Sequence, residues 1–213
     1  MEKYKIYNYF KRLVLLMAGL FIMAFGIALS IKANLGTSPA ASVPYILSLI
    51  LPWSMGQLTF AMQTVFVFIQ IFLLGKDFEP IQLLQLAAAI MFGFFTDITL
   101  TLVSPLDIHN YILQWLLCLF SFFFVALGIF LEIKANIVMP SGQGLVKVIS
   151  KISNSEFSKT KICFDSAFVI IAVLISLLCF HKLIGIKEGT IAAALLVGFM
   201  VKLLDKSVPS TAI

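Results

Sequence analysis

Long apolar runs separated by short polar breaks fill this chain. The runs at residues 13–31, 58–74, 81–103, 111–131, 162–180 and 188–204 are long enough, or nearly so, to cross a bilayer. At 1.5 Å per residue each covers roughly 25–35 Å, against a hydrocarbon core of about 30 Å. Apolar and polar positions do not alternate, which excludes the strands of a membrane barrel. In lipid every backbone amide must find its partner inside the segment, so the pattern predicts six helices. Tight polar turns at Gly75-Lys76-Asp77 and Ser104-Pro105 contrast with two longer connections, 32–57 and 132–161.

Those longer connections fall at matching places in a duplicated chain. With a shift of 102, Gly26-Ile27-Ala28-Leu29-Ser30-Ile31-Lys32-Ala33-Asn34 lies on Gly128-Ile129-Phe130-Leu131-Glu132-Ile133-Lys134-Ala135-Asn136, and seven of the nine positions are identical. With a shift of 105, Ala87-Ala88-Ala89 and Gly93-Phe94 lie on Ala192-Ala193-Ala194 and Gly198-Phe199. Two blocks in one order at nearly one shift point to an internal repeat. The expected fold is therefore an all-α membrane protein of about six transmembrane helices in two inverted three-helix repeats. A short half-helix or re-entrant segment follows the first span of each, at 39–52 and 141–152. The rival reading makes 39–52 a seventh span. The expected organisation is a cytoplasmic tail (1–12), repeat 1 (13–104), a connecting loop (105–110), repeat 2 (111–204) and a C-terminal tail (205–213).

Charge agrees with inversion. With the N-terminus inside, twelve Lys and Arg side chains fall on the cytoplasmic side and only Lys32, Lys182 and Lys187 outside, the positive-inside bias of membrane proteins. Both termini are then cytoplasmic. Composition points the same way: 61% of residues are hydrophobic and 12% charged, about half the charge that keeps a soluble domain's surface wet. The net charge of +5 is accounted for by headgroups and topology, and no nucleic-acid partner is expected. The first run belongs to the repeat, so it is not expected to be a cleaved leader. Cys118, Cys163 and Cys179 lie in apolar runs without a CxxC pair, so no metal or redox role is expected of them.

Lys32-Ala33-Asn34-Leu35-Gly36-Thr37-Ser38-Pro39 resembles the A-x-L-G-x-S-P motif that follows the first helix in the YczE/YyaS/YitT group of bacterial membrane proteins, and Gly189-Thr190 resembles that group's Gly-Thr near the last helix. The chain departs at Ala40, where the group often has Trp, and at Met139-Pro140-Ser141-Gly142-Gln143-Gly144, where it has a Gly-Pro-Arg-Asp-like turn. The resemblance implies a multi-pass protein of a bacterial cytoplasmic membrane and little about substrate.

Candidate chemistry collects at the paired span ends. Lys32 and Asn34 mirror Lys134 and Asn136, and each pair precedes a breaker-rich loop. Ser38 ahead of Pro39 is a predicted N-cap, and Ser141 is expected to cap the second short helix. A half-helix N-terminus beside a lysine suits an anionic group. Lys32, Asn34, Ser38, Lys134, Asn136, Ser141 and Gln143 are thus the candidate solute-binding residues. Against this stands the plain alternative that lysines at helix ends reach for headgroups and the loops merely turn. Gln63, Asp97 and Asp165 are the polar intramembrane candidates for coupling. Asp165 is alternatively a partner of Lys161 four residues earlier, and Asp97 is expected either to line an outward vestibule or to lean to the interface beside Thr96 and Thr99. Gly93 and Gly198 are expected to serve helix packing.

The expected function is a small secondary transporter or permease for a small anionic or polar solute held between the repeats. The alternative is a non-transporting accessory or regulatory membrane protein. Enzymatic motifs such as HExxH and GxSxG are absent from the sequence, so no enzyme and no cofactor are expected. The expected partners are the bilayer, the solute and, as an open option, further copies of the chain.

Overall fold

A computed structural model describes residues 2–207, with side chains described from Tyr9 to Lys206. It is helical throughout. The helices are α1 (Glu2–Ala33), α2 (Pro39–Ser48), α3 (Met55–Leu74), α4 (Leu84–Leu102), α5 (Tyr111–Ala135), α6 (Ser141–Ile152), α7 (Phe157–Phe180) and α8 (Glu188–Ser207), with 3-10 turns at Gly75–Asp77 and Pro80–Leu83.

Five of these are long and apolar enough to cross a membrane: Tyr9–Ala33, Met55–Asp77, Pro80–Leu102, Tyr111–Ala135 and Phe157–Phe180. This is the make-up of a multi-pass membrane protein. The sixth expected span, α8, falls short because every 18-residue stretch of it holds three charged residues. The two short helices form where the sequence predicts them, and 39–52 holds one ten-residue helix rather than a span. α1 begins at Glu2, so the expected tail segment 2–12 is helical and continuous with the first long helix. Of the C-terminal tail, 208–213 lie outside the described residues.

The centre of the molecule is the crossing of α1 and α5. Gly26 of α1 lies against Ser121 and Val125 of α5, while Gly19 lies against Gly128 and Glu132. Numbers rise along one helix as they fall along the other, so the pair is antiparallel. The approach is close: a Cβ on Gly26 would sit 2.7 Å from the Val125 nitrogen, and one on Gly128 2.7 Å from the Met23 nitrogen. Small residues let backbones approach this nearly, and packing rather than hydrophobicity then binds helices that both face lipid. Leu16, Leu20, Ala24, Ile27, Phe92 and Val125 are buried around this crossing. Large apolar side chains cover the outside instead, with Phe72 86% exposed, as expected where hydrocarbon is the solvent.

Around the crossing, α4 packs on α1 and α8 packs on α5. Among the short helices, α2 packs on α7 and α3, and α6 on α3 and α7. Exchanging α1–α4 for α5–α8 maps each of these contacts onto another. One pairing breaks the pattern: α3 packs firmly on α4, and among the described residues no comparable contact joins α7 to α8. Gly93 follows expectation, packing on Gly56 in the α3–α4 contact, whereas Gly198 has nothing within 4 Å of an added Cβ among the described residues. The looser hold on α8 leaves its glycine without a neighbour.

Candidate functional site

The repeated Lys-Ala-Asn ends have a structural job. Asn34 and Asn136 each terminate a helix in the left-handed conformation, at φ 56° and 46°. Among residues with a side chain beyond Cβ, Asn tolerates this region best, which accounts for its recurrence. Each lysine before it reaches across to the end of the fourth helix of its own half. Lys32 Nζ donates to the Ser104 carbonyl at 2.8 Å, and Lys134 pairs with Asp205 at 3.0 Å beneath the Phe130 ring. Neither the Ser104 carbonyl nor Asp205 lies at a helix N-terminus.

Asp97 and Asp165 have partners as well. Asp97 accepts from the Ser54 hydroxyl at 2.6 Å and the Gly56 amide at 2.7 Å, closing the first turn of α3, which Ser54 and Gln57 also cap reciprocally. Asp165 pairs with Lys161 one turn earlier. Ser38 stands at the N-cap of α2, but its side chain makes no capping bond. Ser141 is not a cap: Pro140 holds that position, and the Ser141 hydroxyl donates to Gln63.

That contact leads to the polar cluster of the interior. Gln70 donates to the Ser141 carbonyl at 3.0 Å and to Gln85 at 3.1 Å. Gln70 and Gln85 are buried. Gly144 makes room for this, since a Cβ there would meet the Gln70 amide oxygen at 2.8 Å. The first turn of α6 is thus held by Gln63 and Gln70 of α3, and Gln85 of α4 is bonded to Gln70.

Beside the cluster lies Glu132, in the last turns of α5. It is 2% exposed, and neither carboxylate oxygen has a hydrogen-bond partner among the described residues. Two cavities meet at it. One of about 20 Å³ is bordered by Glu132, Gln63, Gln85 and Ser141 among apolar side chains. The other, of about 170 Å³, is bordered by Glu132, Asn136, Pro140 and Gln143. Of the residues singled out from sequence, Gln63, Asn136, Ser141 and Gln143 therefore gather here, and Lys32, Asn34, Ser38, Lys134, Asp97 and Asp165 do not. Glu132 entered the sequence reading only as a mismatch opposite Ser30. The signal that marks it is that α5 carries no other acidic side chain, and a carboxylate at that depth is costly enough to need a purpose.

The corresponding place in the first half is shut. Ser30, which matches Glu132, bonds Thr37 at 3.1 Å. The Thr37 amide donates to the Gly185 carbonyl at 3.1 Å and the Gly189 amide to Leu35 at 2.8 Å. Gly36, at φ 105°, leaves no room for a side chain against Thr190 and Lys187. Lys187 donates to the Asn34 carbonyl at 2.8 Å. One motif loop is sealed onto the start of α8, and its counterpart borders a cavity.

Comparison with known proteins adds a family. A model described as a family of unknown function, DUF6198, matches residues 10–206. No curated protein and no solved structure matches the chain.

Proposed function

We propose that this chain, which belongs to the family of unknown function DUF6198, is a small secondary transporter or permease for a small polar solute. The observation that carries the reading is the unequal packing of the two motif loops. Loop 34–38 is sealed against 185–190, while loop 136–140 borders the cavities at Glu132. Alternating access between inverted repeats needs such a pair, alike in sequence and held in opposite states. The exchange-symmetric helix packing and the antiparallel crossing of α1 and α5 support two copies of one unit, each of three long helices and a re-entrant short one. α8, with its terminal charges at the interface, completes the second. The lysine distribution supports cytoplasmic termini and a cavity that opens inward. The likeness to the YczE/YyaS/YitT group rests on the motif residues alone and agrees with a bacterial cytoplasmic membrane.

The solute class shifts with the geometry. Lys32 and Lys134 are engaged at helix ends, so an anionic solute loses the residues that favoured it. Amides, a hydroxyl and a carboxylate suit a polar or cationic one.

Spin labels test the reading without knowledge of the solute. On a background lacking native cysteines, one pair replaces Ala40 and the exposed Ile191 across the sealed seam, and a second replaces Leu84 and Met139 across the open one. In liposomes each pair is expected to give two distance populations, the long distance of one accompanying the short distance of the other. A single narrow distance at both pairs would remove the transporter reading in favour of a static accessory protein.

A further inference from the structure

We infer that Glu132, with Gln63, Gln85 and Ser141, forms a binding site for a monovalent alkali cation. An ionised carboxylate removed from water with no partner costs several kcal/mol, and Glu132 has none for either oxygen. A proton or a cation must answer it. The surroundings favour the cation. The small cavity of about 20 Å³ exceeds the ~10–15 Å³ that one water needs, so it has room for a single water-sized occupant. Its polar lining supplies a carboxylate, two side-chain amides and a hydroxyl, the hard oxygen donors that alkali and alkaline-earth ions take. One carboxylate balances one positive charge, and a divalent ion would leave a net charge in the low-dielectric interior. No group of three His, Cys, Asp or Glu side chains capable of holding a metal occurs among the described residues, which argues against a divalent or transition-metal centre.

The residues around the small cavity are held in place by hydrogen bonds. Gln70 bridges Gln85 and the Ser141 carbonyl, fixing α4 and the first turn of α6 at either side of the small cavity. The larger cavity of about 170 Å³ shares Glu132 and Pro140 with it. An ion at Glu132 therefore sits against any solute in the larger space, the arrangement needed for one to influence the other. This deepens the transporter reading by naming its coupling ion, yet the ion site stands on its own geometry.

The test is thermal unfolding of the detergent-purified chain at constant ionic strength, with choline chloride replaced stepwise by lithium, sodium or potassium chloride. At least one alkali cation is expected to raise Tm saturably, by about 5 °C or more at high occupancy. Glu132→Gln, close in shape, is expected to abolish the response, and Gln85→Leu to move its midpoint about tenfold to higher concentration. Binding of radioactive sodium to the native chain, displaced by the other alkali ions, gives the same answer should Glu132→Gln fail to fold. Identical unfolding in all four salts overturns the proposal, as does a Tm that responds to pH alone, which would make this a proton site. A saturable cation response with a single spin-label distance would keep the ion site and remove the transporter. Two distances with no cation response would do the reverse.

Discussion

The smallest residues explain most of the architecture. Gly26 and Gly128 match each other in the repeat, and each inserts into the backbone of the opposite helix. Their recurrence in the sequence is legible, but their purpose is not, because a glycine in an apolar run looks the same whether it faces a neighbour or lipid. Gly198 makes the point, for it shares the Ala-Ala-Ala block with Gly93 and meets nothing. Gly26→Val is expected to lower stability by about 1–3 kcal/mol or more, since backbone atoms of α5 cannot move aside as a flexible side chain can. Gly198→Ala is expected to be neutral or slightly stabilising. Thermal unfolding in detergent distinguishes the two. Glu132 is the residue where sequence reasoning ran short. Its neighbour Lys134 drew attention because it repeats, and Glu132 drew none because it does not.

At the scale of elements, the sequence predicts the short helices well and their capping poorly. α2 and α6 begin at Pro39 and Ser141 as the breaker-rich loops suggest. Which groups satisfy their ends depends on other helices, and no local pattern discloses that. Asp97 is the same lesson in reverse: a carboxylate inside a predicted span proves to serve the start of α3. Lys134 ties the end of α5 to α8 through Asp205, a pair with the lysine side chain 13% and the aspartate 61% exposed. Pairs open to solvent on one side contribute little, typically up to about 1 kcal/mol. Lys134→Ala is accordingly expected to lower Tm by only a few degrees. It should retain the full cation response at Glu132, and a lost response would return the lysine to the binding site. The same titration of Tm against alkali salt measures both.

For the whole molecule, the decisive property is orientation. The alternation of runs and breaks gives the long helices from sequence alone, and five of them are long and apolar enough to span. The expected sixth span, α8, does not join them, because its charges lie within the helix rather than beyond it. The antiparallel crossing of α1 and α5 requires an even number of crossings between the end of one and the start of the other, which α3 and α4 supply when α2 does not traverse. Single cysteines at Lys76 and Asp107, in the connections that follow α3 and α4, are therefore expected to react with impermeant maleimide from opposite faces of the membrane. Reaction from one face would require α4 to turn back and would remove the proposed inversion.

The seam between α1 and α5 has a mechanical consequence. Backbones already in van der Waals contact at Gly19, Gly26 and Gly128 cannot be pulled together further, so the motion the proposed transport requires is a tilt about this seam, like the beam of a balance on its fulcrum. On the proposed transporter reading, loop 34–38 and loop 136–140 lie at opposite arms, so tipping that opens one seam would close the other. A leak through both at once would demand lifting the beam off its support.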